Sequence, residues 1–149
     1  MSVDRTIVDD NTKERQRLKA LVGRLSDADL ARPLAAGWTV AGVLGHLAFW
    51  DQRIIVLLDA WQRTGAPPNP NRDEDVDWIN DAGKPFLLAL PPRQAAELTV
   101  AIAEAVDGKI AALADDFAAR IAAAGNPISL DRAEHRREHL HEIEAALRR

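Results

Sequence analysis

The sequence comprises 149 residues, of which 47% are hydrophobic and 28% charged, with a formal net charge of −4 at pH 7. This composition predicts one folded domain over residues 1–149 and not a disordered chain. Because the sequence has no Cys, it excludes disulfides, thiolate ligands and a cysteine nucleophile, and any metal site must use His, Asp or Glu.

The charge pattern indicates neither a nucleic-acid partner nor a membrane partner. The sequence pI is about 5.5, and the basic residues cluster only in the C-terminal segment, where alternation with acids predicts a solvated helix face. No stretch approaches 18 uncharged apolar residues, and the first ten residues lack a secretory pattern. We therefore expect a cytoplasmic protein.

Helical periodicity dominates the first half of the chain, so the predicted fold class is all-α. Asn11 and Glu14 have capping-box spacing and predict helix one over about residues 10–25. Thr39 is the predicted N-cap of helix two, which ends near Gly65. The apolar residues of helix two recur at alternating steps of three and four, as in a bundle seam: Val40, Val43, Leu47, Trp50, Ile54, Leu57 and Trp61.

The second half of the chain predicts two more long helices. Roughly 28 residues follow helix two, with a Pro-rich segment at 66–71 and a short helix predicted within DEDVDWIND, before Pro85. Helix three is predicted from near Pro92 to just before Gly125. A break or a bend at Gly108 is open, but the stripe keeps its phase there and favours one helix. Ser129 is the predicted cap of helix four. The predicted apolar stripe of helix three contains Leu98, Ile102, Val106, Ile110, Leu113, Phe117 and Ile121. These elements predict a four-helix bundle with a long crossover between helices two and three, which would run parallel.

Three of the four histidines lie at inward-facing positions of two predicted helices. His46 directly precedes Leu47 of the helix-two seam. His135 and His139 are four residues apart on helix four and therefore share one face. Imidazoles in this arrangement can bind one divalent ion and leave a fourth ligand position open. Zn²⁺ and Ni²⁺ both suit imidazole, so the pattern predicts a metal site without choosing the ion.

A simpler interpretation of the histidines remains open at this point. A pair of histidines four residues apart arises by chance in about one of twelve such sequences, and His46 beside the seam also fits a hydrogen-bonded core histidine. The fourth histidine, His141, lies about 200° around the helix from His139, and we expect it to be exposed.

Two segments carry a family resemblance: GWTVAGVLGHLAFWD at residues 37–51 and EHRREHLHEIEAAL at residues 134–147. They match a G-W-[ST]-V stretch that leads to H-L-x-x-[WF]-[DE], followed by a His-x-x-x-His pair on the last helix. The sequence thus resembles the DinB-like (DinB/YfiT) superfamily, especially the N-terminal domain of mycothiol-dependent maleylpyruvate isomerase. The resemblance implies a four-helix bundle with a long crossover and a divalent metal held by His46, His135 and His139. It also implies a low-molecular-weight thiol and a small-molecule substrate as partners.

Further candidates surround the predicted histidine site. Trp50 and Arg53 are candidate binding residues, Trp50 as part of an apolar wall and Arg53 as the partner of a substrate or thiol carboxylate. The alternatives are a core Trp and an exposed or ion-paired Arg. The other candidate wall residues are Trp38, Phe49 and Trp78. Candidate acceptors for imidazole N–H groups are Asp51, Glu138 and Glu142, and candidate mouth residues are Asp77 and Asn80.

Three functions fit these residues. The leading hypothesis is a metal-dependent thiol transferase or isomerase that acts on a small electrophile, with the thiol supplied from outside because the chain has no Cys. The alternatives are hydrolysis of a small molecule by a metal-activated hydroxide and a non-enzymatic bundle that binds a metal or ligand. A homodimer is expected mostly from the frequency of two-fold symmetry among oligomers.

Overall fold

The computed structural model describes residues 3–69 and 72–149, so Pro70 and Asn71 of the predicted Pro-rich segment lie outside the described residues. The described residues form helices and no β-strand, which confirms the all-α fold class. In chain order the α-helices are α1 (Arg5–Arg24), α2 (Asp27–Leu30), α3 (Val40–Thr64), α4 (Asp73–Ala89), α5 (Pro92–Ala111), α6 (Asp115–Ala123) and α7 (Ala133–Leu147). A 3₁₀ turn at Ala35–Gly37 precedes α3.

The long helices α1, α3, α5 and α7 form the bundle, and α3 and α5 run in the same direction within it. Val43 and Leu47, in the first half of α3, share a buried cluster with Ala96 of α5. Ile54, in the second half of α3, shares a second cluster with Ile110 of α5. Because the halves of the two helices meet in the same order, the predicted parallel arrangement is confirmed.

α3 is the helix that the sequence predicted most accurately. Thr39 Oγ1 accepts the backbone N–H of Gly42 at 3.0 Å, and the helix ends at Gly65, whose φ of 75° favours glycine. Within the described part of the chain, α3 alone is long and apolar enough to cross a membrane by length and composition. However, 56% of its most apolar window is buried inside the bundle, as in the core helix of a globular fold.

The crossover between α3 and α5 contains α4, a helix of 17 residues where the sequence predicted only a short one. The prediction was wrong because Pro85 was treated as a terminator, whereas the helix continues through it. Gly42 of α3 lets α4 lie close, since a Cβ at Gly42 would lie 2.7 Å from Leu88 Cδ2. This close approach places the polar residues of α4 beside the first half of α3.

The predicted third helix is interrupted, and the break does not lie at Gly108. α5 ends at Ala111 and α6 begins at Asp115, because the chain turns Leu113 into the second core cluster. Leu98 is exposed, contrary to the predicted stripe, and the first half of α5 buries small residues instead: Ala95, Ala96, Thr99 and Ala103. The later part of the stripe is buried as predicted, at Val106, Ile110, Leu113, Phe117 and Ile121.

The predicted cap of helix one at Asn11 was wrong. α1 begins at Arg5, and Asp4 Oδ1 caps it by accepting the backbone N–H of Thr6 at 2.8 Å. Asn11 lies inside α1 and is 1% exposed. Its side-chain amide donates to Leu130 O at 2.9 Å, so it serves a distant segment and not its own helix.

The predicted cap of helix four at Ser129 was also wrong. α7 begins at Ala133, whose backbone N–H is accepted by Asp131 Oδ1 at 3.1 Å and by Asn11 Oδ1 at 3.0 Å. Asn11 Oδ1 also accepts the backbone N–H of Arg132 at 2.8 Å. These bonds attach the amino end of α7 to α1 and fix the position of the residues that follow.

Candidate metal centre

His46, His135 and His139 bring three ring nitrogens to one point between α3 and α7. One ligand atom from each ring lies within 4.8 Å of the others, and the Nε2 atoms of His46 and His135 are 3.1 Å apart. Two nitrogens bound tetrahedrally to one ion at 2.0–2.1 Å would be about 3.3 Å apart. The spacing of the His46 and His135 atoms therefore fits two ligands of a single divalent ion, with a His139 nitrogen within 4.8 Å of both.

Burial keeps two of these rings neutral at pH 7. Burial, followed by the charge of the nearby His139, lowers the pKa of His46 from 6.5 to about 4. Burial is also the largest cause of the lowered pKa of His135, which is about 3. The charges of nearby groups lower this pKa as well, in the order His139, His46, Arg132 and Arg136. A neutral imidazole carries the lone pair that a metal ion needs, so both rings are ready to bind a cation.

An unpaired ring nitrogen supports the same interpretation. His139 Nδ1 is buried and has no hydrogen-bond partner among the described residues. Glu142 Oε2 lies 3.6 Å from it, beyond hydrogen-bond distance but within the range of an ion pair. A carboxylate beside one nitrogen is usual for an imidazole whose other nitrogen binds a metal. The residues present therefore fit a divalent ion.

The three histidines form part of the wall of a cavity of about 480 Å³, a volume in the range of small-molecule sites. The other lining residues are Ala35, Ala36, Trp38, Val43, Asn80, Asp81, Lys84, Glu138 and Glu142. This larger cavity therefore combines an aromatic wall with side chains of both charges.

A second, smaller cavity of about 240 Å³ lies against two of the same rings. Its lining residues are His46, Trp50, Val76, Asn80, Arg132 and His135. It has one cationic side chain, Arg132, and no carboxylate among them. His139 lines only the larger cavity, whereas His46 and His135 line both. The histidine cluster is thus approached from two sides that differ in charge.

Comparison with known proteins agrees with this geometry. The family model described as the mycothiol maleylpyruvate isomerase N-terminal domain matches residues 12–145. The chain belongs to this family. The matched range includes all three clustered histidines, and the resemblance inferred from the sequence motifs is confirmed. No curated protein and no solved structure matches the chain.

Two of the four predicted aromatic wall residues lie at the site. The ring centroid of Trp38 is 5.7 Å from that of His46, and the centroid of Trp50 is 6.4 Å from it. Phe49 contacts Trp50 but is 42% exposed and lines neither cavity. Trp78 is 60% exposed, donates from Nε1 to Asp75 and lines neither cavity.

The two predicted binding residues, Trp50 and Arg53, occupy different positions. Trp50 lines the smaller cavity and donates from Nε1 to Asn80 Oδ1 at 2.8 Å. Arg53 lines neither cavity, and its guanidinium carbon lies 5.3 Å from the centroid of the Trp50 ring. Burial, followed by the charge of Arg132, lowers the pKa of Arg53. The structure thus places Trp50 at the site and Arg53 outside both cavities.

A buried ion-pair network beside the histidines corrects two sequence predictions. Asp51 accepts from Arg132 Nε at 2.8 Å and from Arg136 Nη2 at 3.1 Å, and not from a histidine. Arg136 also donates two hydrogen bonds of 2.8 Å to Asp107. The basic residues of α7 were predicted to be solvated, yet Arg136 is 0% and Arg132 6% exposed. The reason is that Asp51 of α3 and Asp107 of α5 supply buried counter-charges.

Some of the remaining predicted residues line the two cavities and others do not. Glu138, Glu142 and Asn80 line the larger cavity, and Asn80 also lines the smaller one. Asp77 is exposed and lines neither cavity. His141 is exposed, as predicted, and takes no part in the histidine cluster.

Lys84 and Arg132 are among the lining residues that the sequence analysis missed. Lys84 lies on the part of α4 that was not predicted as helix, and its Nζ donates to the backbone carbonyl of Ala36 and lies 5.2 Å from the centroid of the Trp38 ring. Arg132 lies three positions before His135, and this i, i+3 spacing is the signal that could have placed it near the site.

Proposed function

We propose that this chain is a divalent-metal-dependent enzyme that transfers a low-molecular-weight thiol to a small electrophile. The observation that carries the proposal is the convergence of the His46, His135 and His139 ring nitrogens within 4.8 Å, on the wall of a cavity. The chain belongs to a family whose name includes mycothiol, and this supports the choice of a thiol. We place the activity in the cytoplasm, where such thiols are kept reduced.

The ligand set suits a catalytic ion better than a structural one. Three imidazole ligands leave a fourth ligand position open, whereas structural zinc sites are closed by four protein ligands. A bound Zn²⁺ or Ni²⁺ would supply the positive charge that lowers the pKa of a thiol, so that its thiolate forms near neutral pH. His46, His135 and His139 would hold the ion, and Glu142 would orient the ring of His139.

The larger cavity provides the binding surface for the thiol. The chain has no Cys, so the reacting sulfur has to come from a second molecule. Trp38 would pack against that molecule and exclude water from the reacting groups. Lys84, which lies over the Trp38 ring, would attract an anionic group of the thiol. Trp50 would contact the electrophile from the side of the smaller cavity.

The test is a thiol-dependent assay on protein loaded with Zn²⁺ or with Ni²⁺. A panel of low-molecular-weight thiols is combined with the chromogenic electrophile 1-chloro-2,4-dinitrobenzene, and product formation is compared among wild type, His139→Ala and His141→Ala. We expect thiol-dependent turnover in wild type and in His141→Ala, and a loss of about 100-fold in His139→Ala, because loss of a ligand weakens metal binding.

Three results would contradict the proposal. The first is that no thiol gives turnover or measurable binding. The second is turnover that needs no thiol and rises with pH, which would indicate hydrolysis instead. The third is equal activity in wild type and His139→Ala, which would separate the activity from the histidine cluster.

A further inference from the structure

The smaller cavity contains a buried cation that thiol transfer leaves without a role. Arg132 lines this cavity and is 6% exposed. Its Nε donates to Asp51 Oδ1 at 2.8 Å, but its two terminal nitrogens donate to no acceptor in the described part of the chain. A guanidinium carries five N–H donors, so those of the terminal nitrogens remain available to an acceptor in the cavity. The cavity is therefore where an acceptor for Arg132 would lie.

The charge around Arg132 favours an anion as that acceptor. Two carboxylates, Asp51 and Asp107, face three guanidinium groups, because Arg15 Nη1 also donates to Asp107 at 2.7 Å while Arg136 bridges both acids. One positive charge therefore remains in excess in this network. Arg132 also immediately precedes α7, whose amino end adds positive potential.

The neutral residues of the cavity complete the arrangement. Asn80 Oδ1 accepts from Trp50, which fixes the side-chain amide and leaves its two N–H groups free to donate. No carboxylate lines this cavity, whereas Asp81, Glu138 and Glu142 line the larger one. In the smaller cavity an anion would thus meet Arg132 with no opposing carboxylate, whereas in the larger cavity Lys84 lies beside three acids.

We propose that the smaller cavity is a carboxylate subsite in which Arg132 binds the carboxylate of the electrophile. Its volume of about 240 Å³ is half that of the larger cavity and below the usual range for drug-sized ligands, so it suits the smaller of the two reactants. The identity of the reactant rests on the proposed thiol transfer, but the anion site itself does not. A molecule held there lies against His46 and His135, the rings that both cavities share.

The experiment measures carboxylate binding to the metal-free protein by NMR of its tryptophan indole N–H groups. Trp50 lines the cavity, and Trp50→Phe identifies its signal. Propionate is the probe, and propionamide, which has the same shape without the charge, is its control. We expect propionate to shift the Trp50 signal and propionamide to leave it unchanged, since a charged acceptor strengthens hydrogen bonds to a guanidinium.

Variants assign the binding to Arg132. We expect propionate to bind about tenfold or more weakly to Arg132→Gln. In Arg132→Lys the charge beside Asp51 is kept but the planar fork is lost, so we expect weaker binding in a protein that still folds. Arg53→Gln is the matched control, because Arg53 contacts Trp50 but does not line the cavity. The affinity of this variant for propionate should stay within about twofold of wild type.

Two further arms separate this site from the metal centre and from the thiol. His139 does not line the smaller cavity, so metal-free His139→Ala should bind propionate like metal-free wild type. In metal-loaded protein, Arg132→Gln should leave the affinity for N-acetylcysteine unchanged, because the thiol occupies the larger cavity.

The proposal is overturned if propionate binds no more tightly than propionamide to wild type, or if Arg53→Gln weakens propionate binding as much as Arg132→Gln does. Weaker N-acetylcysteine binding by Arg132→Gln would assign the subsite to the thiol and overturn its assignment to the electrophile. Loss of propionate binding in His139→Ala would likewise place the carboxylate in the larger cavity, which His139 lines, and not beside Arg132. None of these results depends on whether thiol transfer is observed.

Discussion

The Nε2 atoms of His46 and His135 lie 3.1 Å apart, although 89 positions separate the two residues in the sequence. If one nitrogen carries a proton, the pair forms an N–H···N hydrogen bond. If neither does, two lone pairs face each other, an arrangement that a cation between them would stabilise. Since His139 completes the set from the next turn of α7, the fold brings together a ligand set that no single helix contains.

The protonation of these rings predicts how the stability of the metal-free protein depends on pH. The folded-state pKa is about 4 for His46 and about 3 for His135, below the ordinary 6.5. The unfolded chain therefore binds more protons as the pH falls below about 6.5, and the free energy of unfolding falls with it. The decrease continues until the pH reaches the folded-state values. Urea denaturation between pH 7 and pH 4 measures this slope.

Substitutions isolate the contribution of the histidines from that of the carboxylates. We expect His135→Gln to show a shallower decrease than wild type over the same pH range, because its side chain does not titrate. His141→Gln replaces an exposed ring and should follow wild type. Parallel curves for wild type and His135→Gln would show that burial does not hold His135 neutral.

The buried network predicts a large loss of stability for Arg136→Met. The side chain of Arg136 is fully buried and donates to Asp107 and Asp51, so its removal leaves two buried carboxylates without this partner. Breaking such a pair typically costs about 3–5 kcal/mol. Urea denaturation at pH 7 provides the measurement.

The neighbouring Arg137 supplies a matched control for that variant. Its side chain is 45% exposed and pairs with Glu14 at 3.3 Å, and Glu14 keeps Arg17 as a second partner. Arg137→Met should therefore change the free energy of unfolding by about 1 kcal/mol at most. Equal losses in the two variants would mean that the buried network has no special role in stability.

Asn11 is predicted to stabilise the amino end of α7 through three hydrogen bonds. Its amide donates to Leu130 O and accepts from the backbone N–H groups of Arg132 and Ala133. Asn11→Ala leaves Leu130 O and the Arg132 N–H without this partner, while Asp131 Oδ1 still accepts from Ala133, and should lower the free energy of unfolding by about 2 kcal/mol or more. The exposed Gln16 on the same helix is the control, and Gln16→Ala should stay within about 0.5 kcal/mol. A similarly small change in Asn11→Ala would show that α7 does not depend on this residue.

The sequence was sufficient for the histidine cluster because local spacing determines most of it. His135 and His139 are one turn apart in any helix, and His46 adjoins a seam whose period is unambiguous. Only the pairing of α3 with α7 had to be inferred. The four long helices and their parallel second and third members also followed from periodicity and from the length of the crossover.

The buried charges could not be predicted in the same way, because their environment depends on distant partners. Arg136 lies in a run of charged residues that is typical of a solvated helix face. It nevertheless belongs to the buried face of α7, whose residues recur at steps of three and four: Ala133, Arg136, Leu140 and Ile143. Only Asp51 and Asp107, from two other helices, make that position suitable for a cation. The position of Arg136 on this face could have indicated its burial, but it does not identify the carboxylates that pair with it.

The extent of α4 was missed because a local rule was overridden by packing. Pro85 disfavours a helix interior, but α4 packs on the glycine-containing face of α3 and continues through the proline. Lys84 therefore reaches the larger cavity from the part of α4 that follows the predicted short helix. The caps at Asn11 and Ser129 failed for a related reason, since Asn11 pairs across the bundle instead of within its own turn.

The most direct test of the central claim is the metal content of protein purified without a polyhistidine tag. Metal identity and stoichiometry are determined by plasma mass spectrometry for wild type, His46→Ala, His135→Ala, His139→Ala and His141→Ala. The account predicts about one divalent ion per chain in wild type and in His141→Ala, and strongly reduced content in the other three variants, because each loses a ligand. Equal metal content in all four variants would contradict the assignment of the metal site to His46, His135 and His139.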